Sequence, residues 1–433
     1  MFQQNQPKVL KAWTMYDWAN SVYSLTITTA VFPIYYTQIT TLGGSDLVQF
    51  LGFELKNTVL LSYSLAFSFL IIACLAPILS GIADYAGRKK FFMKIFVWIG
   101  SLACMGLFFF TEDRLGIGIL FSVLASVGYA GSLVFYNSFL PVIASPDRHD
   151  KLSAKGFSMG YIGSVILLII NLVFIMMPET FGFHKDSDLP ARFSFVMVGL
   201  WWLGFSQISF KHLHRDEKNA KIGAKIMFHG FKELRKVWNQ VKEYYALKQY
   251  LLGFFIYSMG VQTVMLLASA FGSKELGLET TELIITVLII QIIAILGASM
   301  FARLSGKIGN IKTLIFQLIV WIGVCIGAYF VTDNVGFFIL AFFVGLVMGG
   351  IQSLSRSTYS KLLPQTDDHA SFFSFYDMAE KVSIVIGMVT FGLLESLTGS
   401  MRMSVLSVLL FFVVGIAVLL KLNHQSKRLN ATE

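Results

Sequence analysis

Charge is what this sequence has least of. Only 14% of its 433 residues are Asp, Glu, Lys or Arg, against 55% hydrophobic, and the mean hydropathy is +0.69. No hydrophilic stretch is long enough for a separate soluble domain; the longest is 211–248. This excludes a chain that folds as two or three water-soluble domains, and it argues against a receptor or scaffold, which needs such a domain. Cysteine is also scarce. Cys74, Cys104 and Cys325 fall singly within apolar runs, so they form neither a disulfide framework nor a ligand cluster and read as small core residues. The seven histidines lie in loops without metal-type partners, and His212 and His214 with Asp216 read as solvated charges. A membrane enzyme acting on lipid-linked substrates needs a compact set of acids, bases or ligands, so no catalytic residue, metal or cofactor is expected. Segments of alternating polarity are missing, which excludes a barrel, and no GxxxxGK(S/T) loop is present for direct ATP drive.

What the chain has is apolar runs, about twelve of them, each long enough to cross a bilayer. Only helices satisfy their backbone there once a barrel is excluded. The expected spans are 13–40, 57–80, 91–110, 116–143, 154–177 and 192–210, then 249–271, 281–302, 312–331, 335–357, 371–395 and 401–420. The expected fold is therefore an all-α membrane protein of twelve transmembrane helices in two six-helix halves, 1–210 and 249–433, joined by a linker, 211–248. Basic residues gather in alternate loops, at Lys8 and Lys11, Arg88–Lys90, Arg148 and Lys151, the linker, Arg303–Lys312, Lys361, and Lys427 with Arg428. Asp46, Glu54, Glu112, Asp113, Glu179, Asp186 and Asp188 mark the loops between. This pattern places both termini in the cytoplasm and leaves no basic patch for nucleic acid despite the net charge of +9. No cleaved targeting segment is expected. The sequon at Asn430-Ala431-Thr432 falls on the cytoplasmic tail and is discounted. In the linker, Ile222, Ile226, Leu234, Val237, Trp238, Val241 and Tyr245 recur at helical spacing, with Lys225, Lys232, Arg235, Lys236 and Lys242 on other faces. That reads as a basic amphipathic helix on the membrane surface, or as a solvated connector.

The loop after the second span runs Gly81-Ile82-Ala83-Asp84-Tyr85-Ala86-Gly87-Arg88-Lys89-Lys90. Gly81 admits a neighbouring helix closely, Gly87 permits a tight turn, and Asp84 suits a cation or a helix amino terminus. It resembles the GxxxDxxGR(R/K) signature of the major facilitator superfamily. By that resemblance Gly81, Asp84, Gly87 and Arg88 form a cytoplasmic latch that makes and breaks as two halves rock. The equivalent second loop, Arg303 to Asn310, keeps a glycine at Gly309 but has Gly306 in place of the aspartate, so one working latch is expected. Further blocks are Tyr16-Asp17-Trp18-Ala19-Asn20-Ser21, Phe32-Pro33-Ile34-Tyr35-Tyr36, Tyr136-Asn137-Ser138-Phe139-Leu140-Pro141, Tyr257 to Thr263, Phe271 to Leu278 and Gly349 to Ser357. In order, over nearly the whole chain, they resemble the vacuole-effluxer-like, autophagy-related branch of the superfamily, as a bacterial member. The family commonly shows Asn-Asp where this chain has Ser258-Met259, which puts one route of proton coupling in doubt.

On the first span Asp17, Asn20, Ser21, Ser24 and Thr28 form a polar stripe that must face protein or a water-filled cavity. Asp17 reads either as a substrate or coupling residue or as a cap at the helix end. In span eleven Lys381 lies near mid-bilayer, with Asp377 one turn before it and Glu380 directed elsewhere, towards a neighbouring span. The pair reads as a gate, as an ammonium for an anionic group, or as a permanently satisfied bridge; relatives resemble this chain in carrying the lysine. Asn137, Tyr161, Gln262, Gln291 and Gln352 complete a polar path suited to a polar solute, and Arg356 reads as a gate or as a snorkelling end charge. The expected function is a secondary transporter of a small polar solute (amino acid, peptide or sugar derivative), proton-coupled, working by alternating access as a monomer in a bacterial inner membrane. No cofactor or nucleic-acid partner is expected.

Overall fold

The computed structural model describes residues 3–41, 45–185, 187–213 and 226–430. Asp186, His214, Asp216, Ile222, Lys225 and the end of the sequon lie outside the described residues, as do the side chains of Ile226, His229, Lys427 and Arg428. The chain is helical nearly throughout. In order come α1 (Pro7–Val22), a π-helical segment (Tyr23–Ala30), α2 (Val31–Thr40), a hairpin of β1 (Leu47–Phe50) and β2 (Phe53–Lys56), α3 (Asn57–Ala86), α4 (Lys89–Gly106), α5 (Leu115–Ser138), the short α6 (Leu140–Ile143), α7 (His149–Met176) and α8 (Leu189–His212). The rest comprises α9 (Ile226–Glu243), α10 (Tyr245–Leu276), α11 (Thr280–Ile308), α12 (Asn310–Phe330), α13 (Asn334–Leu362), α14 (His369–Thr398) and α15 (Met401–Asn430).

Eleven helices among the described residues are long and apolar enough to cross a membrane. The α1–π–α2 column from Pro7 to Thr40 is not one of them, because its hydrogen-bond register changes at Tyr23 and its polar stripe lowers its hydropathy. Counted with it, the rods number twelve, consistent with the expected fold. Most helices run several residues past the expected spans; α3 continues from 80 to Ala86 and α13 from 357 to Leu362. The hydropathy pattern marks the lipid-facing stretch, not the turns that project beyond it.

Two hydrophobic cores follow the chain order. One gathers residues almost entirely before α9, around Trp13, Tyr136, Phe135 and Trp202; the other gathers residues largely from α9 onward, around Tyr250, Tyr257, Trp321 and Phe412. Small residues set the close approaches: a Cβ on Gly100 would run into the Trp202 ring of α8 and the backbone of Gly128 on α5. The loops fall at two ends. The end holding the α3–α4, α11–α12 and α13–α14 loops, called here the basic end, contrasts with the acidic end, which holds the β1–β2 hairpin. That hairpin, absent from the sequence reading, turns at Leu51 and Gly52, both with positive φ (50° and 84°), the geometry two-residue hairpins favour.

The linker helix forms, and part of its apolar face packs on protein. Val237 and Val241 are fully buried, and the helix packs on α3, α10 and α14. Gly81 of α3 meets Gly230 of α9 so closely that a Cβ on Gly81 would overlap the Gly230 carbonyl. Val237 and Val241 of the apolar face of α9 are thus satisfied by protein, while Phe231 and Trp238 on the same helix stay exposed.

Candidate functional site

The polar stripe that runs from α1 into the π-helical segment opens onto a cavity of about 230 Å³ at the centre of the bundle. Asp17, Asn20, Ser21, Ser24 and Thr28 all line it, facing Asn137 of α5, Gln262 of α10, Gln352 and Arg356 of α13, and Asp377, Glu380 and Lys381 of α14. The π segment brings Thr28 and Thr29 to the cavity together, and the Thr29 hydroxyl donates to the Ser24 carbonyl five residues back (3.0 Å). Tyr161 and Gln291 line an adjoining space of about 140 Å³ rather than the main cavity. Thr29 also borders a wider cleft of about 560 Å³ with Thr37, Gln38, Ser273 and Thr280 near the acidic end.

Two charge clusters define the cavity. The first joins Asp17 to Arg356, with Nη2 3.2 Å from Oδ2, both side chains almost wholly buried. Tyr136 donates its hydroxyl to the same Asp17 oxygen at 2.7 Å. Arg356 also donates to the Ser153 hydroxyl (2.9 Å), the Ser153 carbonyl (3.0 Å) and Asn137 Oδ1 (3.3 Å). The rings of Phe157, Trp13 and Tyr136 surround its guanidinium at 4.2, 4.7 and 5.5 Å. Gly156 is required beside it, since a Cβ there would strike Asp17 Oδ2. Arg356 is buried and does not snorkel, and it and Asp17 are each other's ionic partners. The second cluster is on α14. Lys381 Nζ lies 2.9 Å from Glu380 Oε2 and 3.6 Å from Asp377 Oδ1, so Glu380, expected to point away, is the nearer partner. Its other oxygen does reach a neighbouring span, accepting from Gln262 at 3.1 Å. Tyr161 donates to Gln352 Oε1 at 2.6 Å, tying α7 to α13.

Beyond the cavity, three ties close the basic end. Asp84 accepts from the Ser371 backbone and hydroxyl (2.7 Å each) and from the Ala370 backbone (3.3 Å) at the start of α14, and pairs with Lys89 at 3.0 Å. Asp84 thus meets both a helix amino terminus and a cation. Gly87 has φ of 64°, which lets α3 end in a left-handed turn. Among the described residues no ion pair forms at Arg88; Lys89 takes that part. The second tie corrects the single-latch expectation. Its carboxylate comes from the other side: Asp150 of α7 accepts from Ser305 (2.8 Å), Asn310 (2.8 Å) and Lys361 (2.6 Å). The third is made by α9, whose Lys236 donates to Asp368 (2.7 Å) and Glu233 (2.6 Å) while the Trp238 ring lies tilted against Phe375. Burial is the largest single influence on the Asp368 carboxyl and works to raise it, but the hydrogen bonds with Lys236 and Glu233 and the charges of Lys236 and Lys89 together outweigh it and hold the group below its ordinary range. The Asp368 and Glu233 bonds raise Lys236.

Sequence reasoning missed Trp13, Tyr136 and Ser153, the Glu380–Lys381 bond and Asp150. One signal was available for Asp150: it opens the fifth span, as Ser371 opens the eleventh, so a six-span offset points to it.

Residues 5–432 match the family described as "Vacuole effluxer Atg22 like". An uncharacterized MFS-type transporter, YxiO of Bacillus subtilis (strain 168), is 34% identical over 94% of this chain and 93% of its own. Autophagy-related protein 22-1 of Penicillium rubens is 24% identical, covering 90% of this chain and 80% of that one. Among solved structures, the transporter FucP in an outward conformation aligns with a TM-score of 0.71 at 13% identity, over 96% of this chain and 99% of that one. The human organic anion transporter MFSD10 aligns with a TM-score of 0.71 at 10% identity, over 96% and 100%. At these identities the solved structures speak for the fold.

Proposed function

This chain belongs to the vacuole effluxer Atg22-like family, and on that premise we propose that it moves a small polar solute through the central cavity by alternating access. It is an integral, multi-pass membrane transporter of the major facilitator type, not an enzyme. The halves 1–210 and 249–433 rock about the cavity, with 211–248 between them. The observation that carries this reading is the cavity itself, lined by charged and amide side chains contributed from both cores. Buried ionised groups in a lipid-solvated protein have little reason to be there except to face water or a polar cargo.

Amides, hydroxyls, an ammonium and carboxylates in one cavity suit a solute with both donors and acceptors, such as an amino acid, a peptide or a sugar derivative. Asp17, Asn20, Asn137, Gln262, Gln352 and Lys381 make the binding surface, with Tyr161 and Gln291 on the path beside it. Gly81, Asp84 and Gly87 form the latch, with Arg356 and Asp377 as gates at the cavity. Protons are the coupling ion. By the loop charges, the basic end faces the cytoplasm of a bacterial cell and both termini lie there, so ties closed at that end correspond to an outward-facing state. The unit is a monomer.

The test is counterflow in vesicles reconstituted with the full chain, using radiolabelled amino acids, dipeptides and hexoses as probes. One probe class exchanges in wild type, and Lys381→Ala or Asp17→Asn abolishes the exchange in folded protein. Exchange unaffected by both substitutions overturns the assignment of this cavity.

A further inference from the structure

The outer flank of α3 leads to α9. Tyr63, Phe67, Leu70 and Cys74 recur at steps of four, three and four residues. All are exposed, and on a membrane-spanning helix such a stripe faces the bilayer. Leu65 and Phe69, on the opposite side of α3, line the cavity. Gly81 falls on the outward stripe about five turns after Tyr63. There the stripe meets protein, because Gly230 of α9 lies against Gly81, Ile78 and Ile82. At its other crossing α9 sets the Trp238 ring against Phe375, under two turns into α14. Both contacts fall where an apolar run meets its polar end, since the run of α3 closes near 80 and that of α14 opens near 371. α9 therefore lies along the bilayer-facing flank of the bundle, at headgroup depth.

Val237 and Val241 of α9 point into protein, and Lys236 is taken up by Asp368 and Glu233. A different face carries Phe231, Arg235, Trp238 and Lys242, again at steps of four, three and four. All four are exposed, with Phe231 at 51% and Trp238 at 41%. Lys242 Nζ stands 5.1 Å over the Trp238 ring, and among the described residues neither Arg235 nor Lys242 forms an ion pair. Lys232, Asn239 and Glu243 lie further round the helix, also exposed. Bulk water gives two exposed rings no favourable contact, whereas the headgroup boundary holds rings among the first methylenes and cations on phosphate. We propose that this face of α9 docks anionic phospholipid in the leaflet at the basic end. Arg235 and Lys242 take the headgroup phosphate, and Phe231 and Trp238 enter the acyl boundary. A zwitterionic headgroup brings its own ammonium into competition with them, so a lipid of net negative charge is preferred. The docked lipid holds α9 onto α3 and α14. The proposal needs only the membrane-spanning fold, so its failure leaves the transport reading untouched.

Fluorescence quenching of the full-length chain in nanodiscs tests this, with phospholipids brominated on their acyl chains as the probe. The difference between wild type and Trp238→Phe isolates Trp238 from the other tryptophans. At equal mole fraction, brominated phosphatidylglycerol quenches Trp238 more strongly than brominated phosphatidylcholine. Arg235→Gln and Lys242→Gln each lower that preference roughly fivefold, and together they remove it. Arg235→Lys keeps it, and added sodium chloride weakens it. Lys274→Gln, at the acidic end, leaves it unchanged. Thermal unfolding in phosphatidylcholine nanodiscs shows that each variant is folded, and the two single substitutions serve should the double one fail to fold. The proposal is overturned if neither lipid quenches Trp238, if the two quench it alike, or if the preference survives the substitutions. It is equally overturned if excess inorganic phosphate abolishes the preference, which marks a site for free anions.

Discussion

A guanidinium enclosed by Trp13, Tyr136 and Phe157 keeps its charge only because Asp17 and the Ser153 carbonyl replace the water it has lost. Removing one partner leaves the other charged and buried, which costs about 3–5 kcal/mol, whereas replacing both with apolar groups of similar volume is often close to neutral. Arg356→Ala is therefore expected to lower the unfolding midpoint in detergent sharply, and Arg356→Met with Asp17→Leu to recover much of the loss. Equal midpoints for the single and double variants would remove the pairing from the account. The sequence exposed both residues but not their bond, which spans 339 positions. Arg356 read as an end charge because its depth depends on where α13 sits, and helix ends are poorly fixed by hydropathy. Glu380 was misread for a related reason: helical spacing gives the direction of a Cα–Cβ bond, not where a long side chain bends back to an adjacent lysine.

At the scale of elements, the basic end is held by ties of alternating polarity. In one, the end of α3 supplies the carboxylate and the α14 start supplies donors; in the other, the α7 start supplies the carboxylate and α11, α12 and α13 supply donors. The motif glycines and Asp84 were legible in sequence because they lie together within seven consecutive residues. Asp150 and its partners were not, being spread over four helices. The linker helix adds the third tie. Gly81→Leu is expected to push Gly230 away and release α9, seen as faster proteolysis within 211–248; an unchanged cleavage rate would mean the contact is dispensable. The Lys236–Asp368 bond also gives this tie a pH dependence. Asp368 is held below its ordinary range of about 3.9, so its contribution is complete above that value and is lost as pH falls through the depressed one. Lys236 is raised, so its contribution is complete below its ordinary value of about 10.4 and fails only in stronger alkali. Proteolysis of the linker is thus expected to be flat from neutral pH down to the carboxylate range and to rise below it, with Asp368→Asn raising it already at neutral pH. An identical profile in Asp368→Asn would contradict the assignment.

At the scale of the molecule, the arrangement of rods was legible because hydrocarbon leaves a chain so little freedom, and the polar stripe on α1 marked the face that lines the cavity. The π segment was not, since a change of hydrogen-bond register leaves residue types untouched. The central claim is that the cavity is exposed to one side at a time and that the ties at the basic end set which. The most direct test is pulsed electron paramagnetic resonance with spin labels at Phe91 and Gln365 on the basic end, and separately at Thr37 and Glu279 on the acidic end, with Asp84→Asn and Asp150→Asn introduced together. The account predicts that the double variant lengthens the first distance and shortens the second. Distances that stay fixed, or that lengthen at both ends together, would contradict it.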